Sequence, residues 1–243
     1  MTVAPTTLLG RLTELVDTLD QAELNDLRLL LGMAAGRLAP SEEVGSSPSD
    51  ALRTTLACLA RLRSDRGEVS ADGVLFHGWP DWLPADLLAS LIDESYRRRP
   101  DARLYERQRV SCGGAIADEL ANSSELLDFV RHHAMATAEP TGVASYLYYD
   151  SPGMGISAHV DTEVFSLNVI MLLVHERAGA DPGSQLIVHP PDSEPVPLAL
   201  APGEIVLLDA NAVVHGRSQV TGLERVHVLT IGFTPTNQSP FAL

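Results

Sequence analysis

Two residues after His159, with only Val160 between them, stands Asp161, and a second imidazole, His215, follows fifty-four residues later. Two nitrogen donors and one carboxylate on one side of an ion form the facial set that holds Fe(II) and leaves coordination positions open. Open positions let an oxidant and a second ligand meet on one metal, so the chemistry to expect is oxygen chemistry. Ten residues past His215 stands Arg225, whose guanidinium could grip a carboxylate through two parallel N–H donors, a geometry that lysine lacks. Arg217, two past His215, is the rival cation. The remaining histidines, His77, His132, His133, His175, His189 and His227, read as surface or core residues. His227, two past Arg225, is placed beside the site rather than in it.

The elements that must position these residues follow from the apolar spacing. On one strand, side chains two apart share a face, so His159 and Asp161 point together and Val160 faces the other layer. His215 has to come from a different strand. After Gly142 the chain reads as short strands at 143–149, 165–174, 185–189, 205–209 and 226–233, separated by turns rich in Gly, Pro and Asp, a pattern of sandwiches and barrels. Before it come a strand at 73–77, a helix at 84–96, an extended stretch at 103–112 and a helix capped by Ser123 or Ser124. The fold class expected is mainly β with N-terminal helices, the strands forming a jelly-roll-like barrel.

Residues 6–38 read as two amphipathic helices, with Asp20 and Glu23 set as a capping box between them. Their apolar face must pack on something: the main body, a second copy in a homodimer, or a docked partner. The polar segment 40–49 is the linker candidate, and a further helix follows at 51–63. The division expected is a helical hairpin with linker at 1–45 and one domain over 46–243.

At 243 residues the chain can bury one sizeable core. Its net charge of −15 repels nucleic acid and anionic lipid surfaces. No apolar run reaches membrane-spanning length, and the N-terminus carries no secretory pattern. Cys58 and Cys112 fit no metal spacing and read as reduced thiols in a cytoplasmic protein. Arginine clusters at Arg97, Arg98, Arg99, Arg103, Arg107 and Arg109. It reads as a solvated helix end and loop, or as a source of one or two cations lining a pocket for a substrate carboxylate.

The context of the three metal-ligand candidates adds a resemblance. Tyr149-Asp-Ser-Pro-Gly153-Met-Gly-Ile-Ser-Ala-His159-Val-Asp161 sets a Gly/Pro turn between an aromatic strand and the two-ligand clip. Pro202-Gly203-Glu-Ile-Val-Leu-Leu-Asp209 leads to His215-Gly-Arg-Ser-Gln-Val220-Thr-Gly222-Leu-Glu-Arg225. These blocks, over about residues 143–234, resemble the non-haem Fe(II)/2-oxoglutarate-dependent dioxygenase superfamily in its prolyl-hydroxylase-like branch. The resemblance implies a double-stranded β-helix core and Fe(II) on His159, Asp161 and His215. It implies 2-oxoglutarate as cosubstrate and O2 as oxidant, with release of succinate and carbon dioxide. By its spacing Arg225 would hold the distal carboxylate, while Tyr148 or Tyr146 and Asn168 would line the cosubstrate pocket. A carboxylate at Asp161 argues against the related halogenases, which have a small residue there.

The function expected is hydroxylation of an unactivated C–H bond in a small-molecule or amino-acid-like substrate, of the kind met in specialised metabolism. Desaturation or ring formation by the same oxidant, a peptide or carrier-bound substrate, and a non-catalytic metal-binding scaffold are the alternatives. Substrate choice is expected to lie in loops and strands at 103–122 and 176–184.

Overall fold

The alternation of one long strand, β11 (Arg225–Pro235), sets the architecture. Its even-numbered residues Val226 and Val228 pack between two sheets, while Leu229, Ile231 and Phe233 pack under helices. A strand buried on both faces reads as a near-continuous apolar run, and Val226 to Phe233 is such a run broken by His227 and Thr230.

A computed structural model describes residues 8–16, 18–38, 49–61, 73–134, 137–161, 163–179, 182–190, 194–211 and 213–236. The elements are α1 (Leu8–Val16), α2 (Gln21–Leu38), α3 (Asp50–Arg61), β1 (Val74–Gly78), α4 (Ala85–Arg98), β2 (Arg103–Tyr105), β3 (Gln108–Cys112), α5 (Ala115–Ala121) and α6 (Ser124–Ala134). They continue as β4 (Ala138–Tyr149), β5 (Ile156–His159), β6 (Leu167–Glu176), β7 (Leu186–His189), β8 (Val196–Leu198), β9 (Ile205–Leu208), β10 (Val214–Arg217) and β11 (Arg225–Pro235). A seven-stranded sheet has the order β1-β9-β6-β11-β4-β3-β2, and a four-stranded sheet the order β5-β10-β7-β8. Among the described residues every pairing between strands is antiparallel.

Three apolar layers result. Helices α4, α5 and α6 cover the outer face of the large sheet, where Leu91, Leu126 and Val130 meet Tyr146, Met171 and Leu229. Between the sheets lie Ile170, Leu172, Leu186, Val188, Val206 and Val228. Behind the small sheet, Ala35 of α2 and Leu52, Leu56 and Leu59 of α3 pack on Val160 and Val214. The N-terminal hairpin thus packs on the body, and α3 shares that layer. The expected linker lies mostly in 40–48, outside the described residues, as do Arg63 and Arg66 at the end of the helix expected at 51–63.

Local chemistry explains the helix starts. The Asp20 amide donates to Glu23 Oε2 and the Glu23 amide to Asp20 Oδ1, both at 2.9 Å, a reciprocal capping box. Of the two serines expected as the cap of α6, Ser123 fills the role by accepting from the Leu126 amide. Some expectations are corrected. The stretch 103–112 is a hairpin, β2 and β3, turned at Glu106, which has a left-handed φ of 51°. Residues 163–165 form a short 3-10 turn, so β6 starts at Leu167 rather than Phe165. Helix α5 and strand β8 had no sequence signal. At seven and three residues, both are too short for periodicity to show.

Candidate metal centre and its cavity

The ligand atoms of His159, Asp161 and His215 lie within 4.8 Å of one another. His159 ends β5 and His215 lies in β10, where the two are direct cross-strand partners. Their rings sit 4.5 Å apart, centroid to centroid. Asp161 stands just past the end of β5, with its amide bonded to the Ala210 carbonyl. Its Oδ1 is 3.3 Å from His159 Nε2 and its Oδ2 3.5 Å from His215 Nε2.

The donor set fits a metal by a further test. His159 Nδ1 donates to the Ser157 carbonyl at 2.8 Å, and His215 Nδ1 to the Val213 carbonyl at 2.9 Å. A proton on each Nδ1 leaves both Nε2 lone pairs free and aimed at Asp161, which is how backbone carbonyls orient histidine ligands. Asp161 is oriented too, because Asn168 Nδ2 donates to its Oδ2 at 2.6 Å and Thr230 Oγ1 donates to Asn168 Oδ1 at 2.5 Å. Burial pushes the Asp161 carboxyl up, but when the rings carry a proton on Nε2 as well, as they can with no cation between them, the charge of His215 and hydrogen bonds from both imidazoles hold it well below the usual carboxylate range. Burial alone would lower His215, yet Asp161 raises it.

The three residues line a cavity of about 660 Å³ between the sheets. Asn168, expected at the cosubstrate pocket, lines it. Arg225, Tyr146 and Tyr148 do not. Arg225 falls on the odd-numbered face of β11, which points outward, and there it pairs with Glu176 at 2.9 Å with nearly half its side chain exposed. The tyrosines fall on the helix side of β4. Tyr146 donates to Glu94 Oε2 at 2.7 Å and Tyr148 to the Ser95 carbonyl at 2.9 Å, beneath α4. His227 lies on that side as well, 3.0 Å from Ser95 Oγ, and not beside the metal ligands.

The cavity instead holds Arg217 and Tyr149. The Arg217 side chain is buried, 5.4 Å over the Tyr149 ring, and its Nη1 donates to the Ser184 carbonyl at 3.1 Å. Burial lowers its pKa; Tyr149 and the buried Glu224 oppose that shift. A signal for Arg217 was present in the sequence. It stands two residues past His215 on one strand, the same alternation that joins His159 to Asp161. Tyr149 could not be chosen among the β4 tyrosines, because no sequence rule states which face of β4 meets β5 and β10. Thr230 had no signal apart from its even-numbered place in β11.

The same architecture recurs in solved structures. The non-haem alpha ketoglutarate dependent epimerase SnoN from nogalamycin biosynthesis superposes with a TM-score of 0.57 at 16% identity, over 76% of this chain and 87% of SnoN. HygX from Streptomyces hygroscopicus, solved with nickel, 2-oxoglutarate and hygromycin B, gives 0.53 at 14% identity over 68% of this chain and 85% of its own. EctD from S. alaskensis gives 0.52 at 15% identity, over 70% and 77%. The chain has the double-stranded β-helix fold. No protein-family model matches the sequence, and no curated protein does. Identities at this level carry the fold, and the chemistry of this double-stranded β-helix rests on its own side chains.

Proposed function

We infer that this protein is an Fe(II)- and 2-oxoglutarate-dependent oxygenase that hydroxylates an unactivated C–H bond of a small molecule, with release of succinate and carbon dioxide. One observation carries the reading: two imidazoles and one carboxylate converge on the same cavity as a buried arginine that no carboxylate neutralises within hydrogen-bonding distance among the described residues. A buried cation needs a compensating anion, and a dicarboxylic cosubstrate supplies one.

Each residue then has a role. His159 Nε2, Asp161 and His215 Nε2 would hold the ferrous ion. The ion supplies oxygen activation, coupled to oxidative decarboxylation of the keto acid. Arg217 binds the distal carboxylate of 2-oxoglutarate. It lies two residues from His215 along one face of β10, about 7 Å, a span suited to a five-carbon diacid. Tyr149 holds the guanidinium plane from below, with its own hydroxyl donating to Gln108 at 2.8 Å. Ile170, Leu186 and Val228 form apolar walls that exclude water from that end, which strengthens the ion pair. Asn168 and Thr230 keep Asp161 turned toward the imidazoles.

A small-molecule substrate is supported by the size of the cavity and by the molecules described in complex with proteins of this fold, nogalamycin RO and hygromycin B. The scaffold reading loses its main support, since the N-terminal helices are engaged with the body. The test is anaerobic addition of Fe(II) and then 2-oxoglutarate, followed by admission of oxygen. A weak visible charge-transfer band, then succinate formed in step with oxygen uptake, is the expected result. Neither signal in protein that binds Fe(II) would end this reading.

A further inference from the structure

The cavity runs outward from the metal ligands along the inner face of the large sheet, and an unpaired cation stands at its far end. Val228 of β11 is in register with Leu147 of β4, Leu147 with Val110 of β3, and Val110 with Arg103 of β2. All four line the cavity. Adjacent strands are about 4.8 Å apart, so three steps put Arg103 roughly 14 Å from the β11 end of that row. Asn168, the bonded partner of Asp161, sits one strand further still, on β6. A five-carbon diacid held between the metal ligands and Arg217 cannot span that distance.

Among the described residues Arg103 makes no side-chain hydrogen bond or ion pair. Of the other arginines in that stretch, Arg97 and Arg109 do not line the cavity, and three are engaged elsewhere. Arg98 meets Asp101 and the Cys112 carbonyl, Arg99 meets Asp150, and Arg107 donates to Ser157. Acidic residues outnumber basic ones by 32 to 17, so carboxylate partners are plentiful in this chain, yet none stands at Arg103. The wall between is apolar, with Val110, Leu147, Ile156 and Phe165 facing the space. At the rim, Leu104 and Tyr105 are 59% and 63% exposed. The β2–β3 hairpin that carries them is tied down at its tip. Arg107 Nη2 donates to Ser157 Oγ at 2.8 Å, and the Gly155 amide to the Arg107 carbonyl at 2.9 Å. The rim is therefore a fixed platform with an apolar face and one free guanidinium.

We propose that Arg103 receives the carboxylate of the substrate, whose apolar body lies on Leu147 and Val110 and reaches from this rim toward the metal ligands. The proposal rests on the oxygenase reading of the site. It assigns Arg103 to substrate and Arg217 to cosubstrate, two anion sites at opposite ends of one cavity.

The experiment uses the full chain, saturated anaerobically with Fe(II) and 2-oxoglutarate so that Arg217 is occupied. It is titrated with phenylalkanoates of increasing length, phenylbutyrate to phenyldecanoate, and with the matching uncharged amides. The longer acids bind at least about tenfold tighter than their amides, as expected for a charge-assisted pair. The gap narrows with salt, closes in Arg103→Gln and is partly kept in Arg103→Lys. Equal affinity of acid and amide, no binding by any acid, or a full gap surviving in Arg103→Gln overturns the proposal. The charge-transfer band of the same samples reports 2-oxoglutarate separately. A missing band sinks the cosubstrate reading, while the acid-to-amide ratio still reports on Arg103. An unchanged band in Arg103→Gln shows that the metal site is intact in the variant.

Discussion

Gly32 of α2 lies directly behind Val160, so close that a methyl group added to the glycine would fall 2.2 Å from Val160 Cγ2. Val160 is the residue between His159 and Asp161, and the N-terminal hairpin therefore backs the two-ligand clip. Alanine in place of glycine inside a helix ordinarily stabilises by roughly 0.5–1 kcal/mol. Here the sign should reverse. Overpacking costs typically about 1–3 kcal/mol, and a β-branched valine has little rotamer freedom with which to yield. Gly32→Ala is expected to lower both the melting temperature and the affinity for Fe(II), and Val160→Ala in the same chain is expected to restore both. A Gly32→Ala protein that is more stable than wild type would show that the helix does not press on the clip.

Arg217 and Arg225 separate cleanly in a pair of variants. Arg217 is buried beside the metal ligands, whereas Arg225 is bonded to Glu176 at the surface. Removing one partner of a buried charge pair costs about 2–5 kcal/mol, and an exposed ion pair is worth at most about 1 kcal/mol. Arg217→Ala should weaken 2-oxoglutarate binding on the order of a hundredfold or more, and Arg225→Ala by less than about threefold. Titration of the charge-transfer band in each variant reads this directly. The opposite ranking would restore Arg225.

What could be read from sequence was what alternation and spacing encode. His159, Asp161 and His215 were legible because two share one short segment and the third carries the same donor chemistry. Strands β1, β4, β6, β7, β9 and β11 and the Asp20–Glu23 cap were legible because apolar periodicity and capping are local. The choice between Arg217 and Arg225, and among Tyr146, Tyr148 and Tyr149, was not settled by the same means. Arg217 shares the face of His215 on β10, but setting Arg225 aside and choosing among the tyrosines depend on which face of β11 or β4 meets the other sheet. Stacking two sheets is a long-range event that leaves no mark within a single strand. Spacing borrowed from a resembling family favoured Arg225, whereas in this chain the inward positions of β11 are held by Val226, Val228 and Thr230.

Asn168 and Thr230 form a two-step support for Asp161, with bonds of 2.6 and 2.5 Å. Groups that orient a metal ligand from outside typically contribute tenfold to a hundredfold in metal affinity. Asn168→Ala should therefore weaken Fe(II) binding by about that factor, while His159→Ala and His215→Ala abolish stoichiometric binding. Thr230→Val keeps the shape of the side chain and removes the hydroxyl donor, so its loss should be smaller and in the same direction. Metal content after gel filtration, together with an unfolding curve for each variant, distinguishes lost ligation from lost folding. Wild-type affinity in Asn168→Ala would remove the amide from the account.

His227 provides the pH-dependent prediction. Its ring is 1% exposed, sits beneath α4 against Ser95, and lies 4.8 and 4.9 Å from the rings of Tyr96 and Tyr148. Burial first, and Arg225 second, lower its pKa to about 4. In the unfolded chain a histidine titrates near ~6.5. Between those two values the unfolded state takes up a proton that the folded state refuses, so stability rises with pH across this window and is lost as the pH falls from about 6.5 to 4. The slope for one such group approaches about 1.4 kcal/mol per pH unit. His227→Gln keeps a hydrogen-bonding group for Ser95 and removes the titration. Denaturant unfolding at a series of pH values should give a shallower acid limb for the variant than for wild type. Parallel limbs would mean that His227 accepts its proton without leaving the fold, and that the packing of β11 under α4 is looser than the structure indicates.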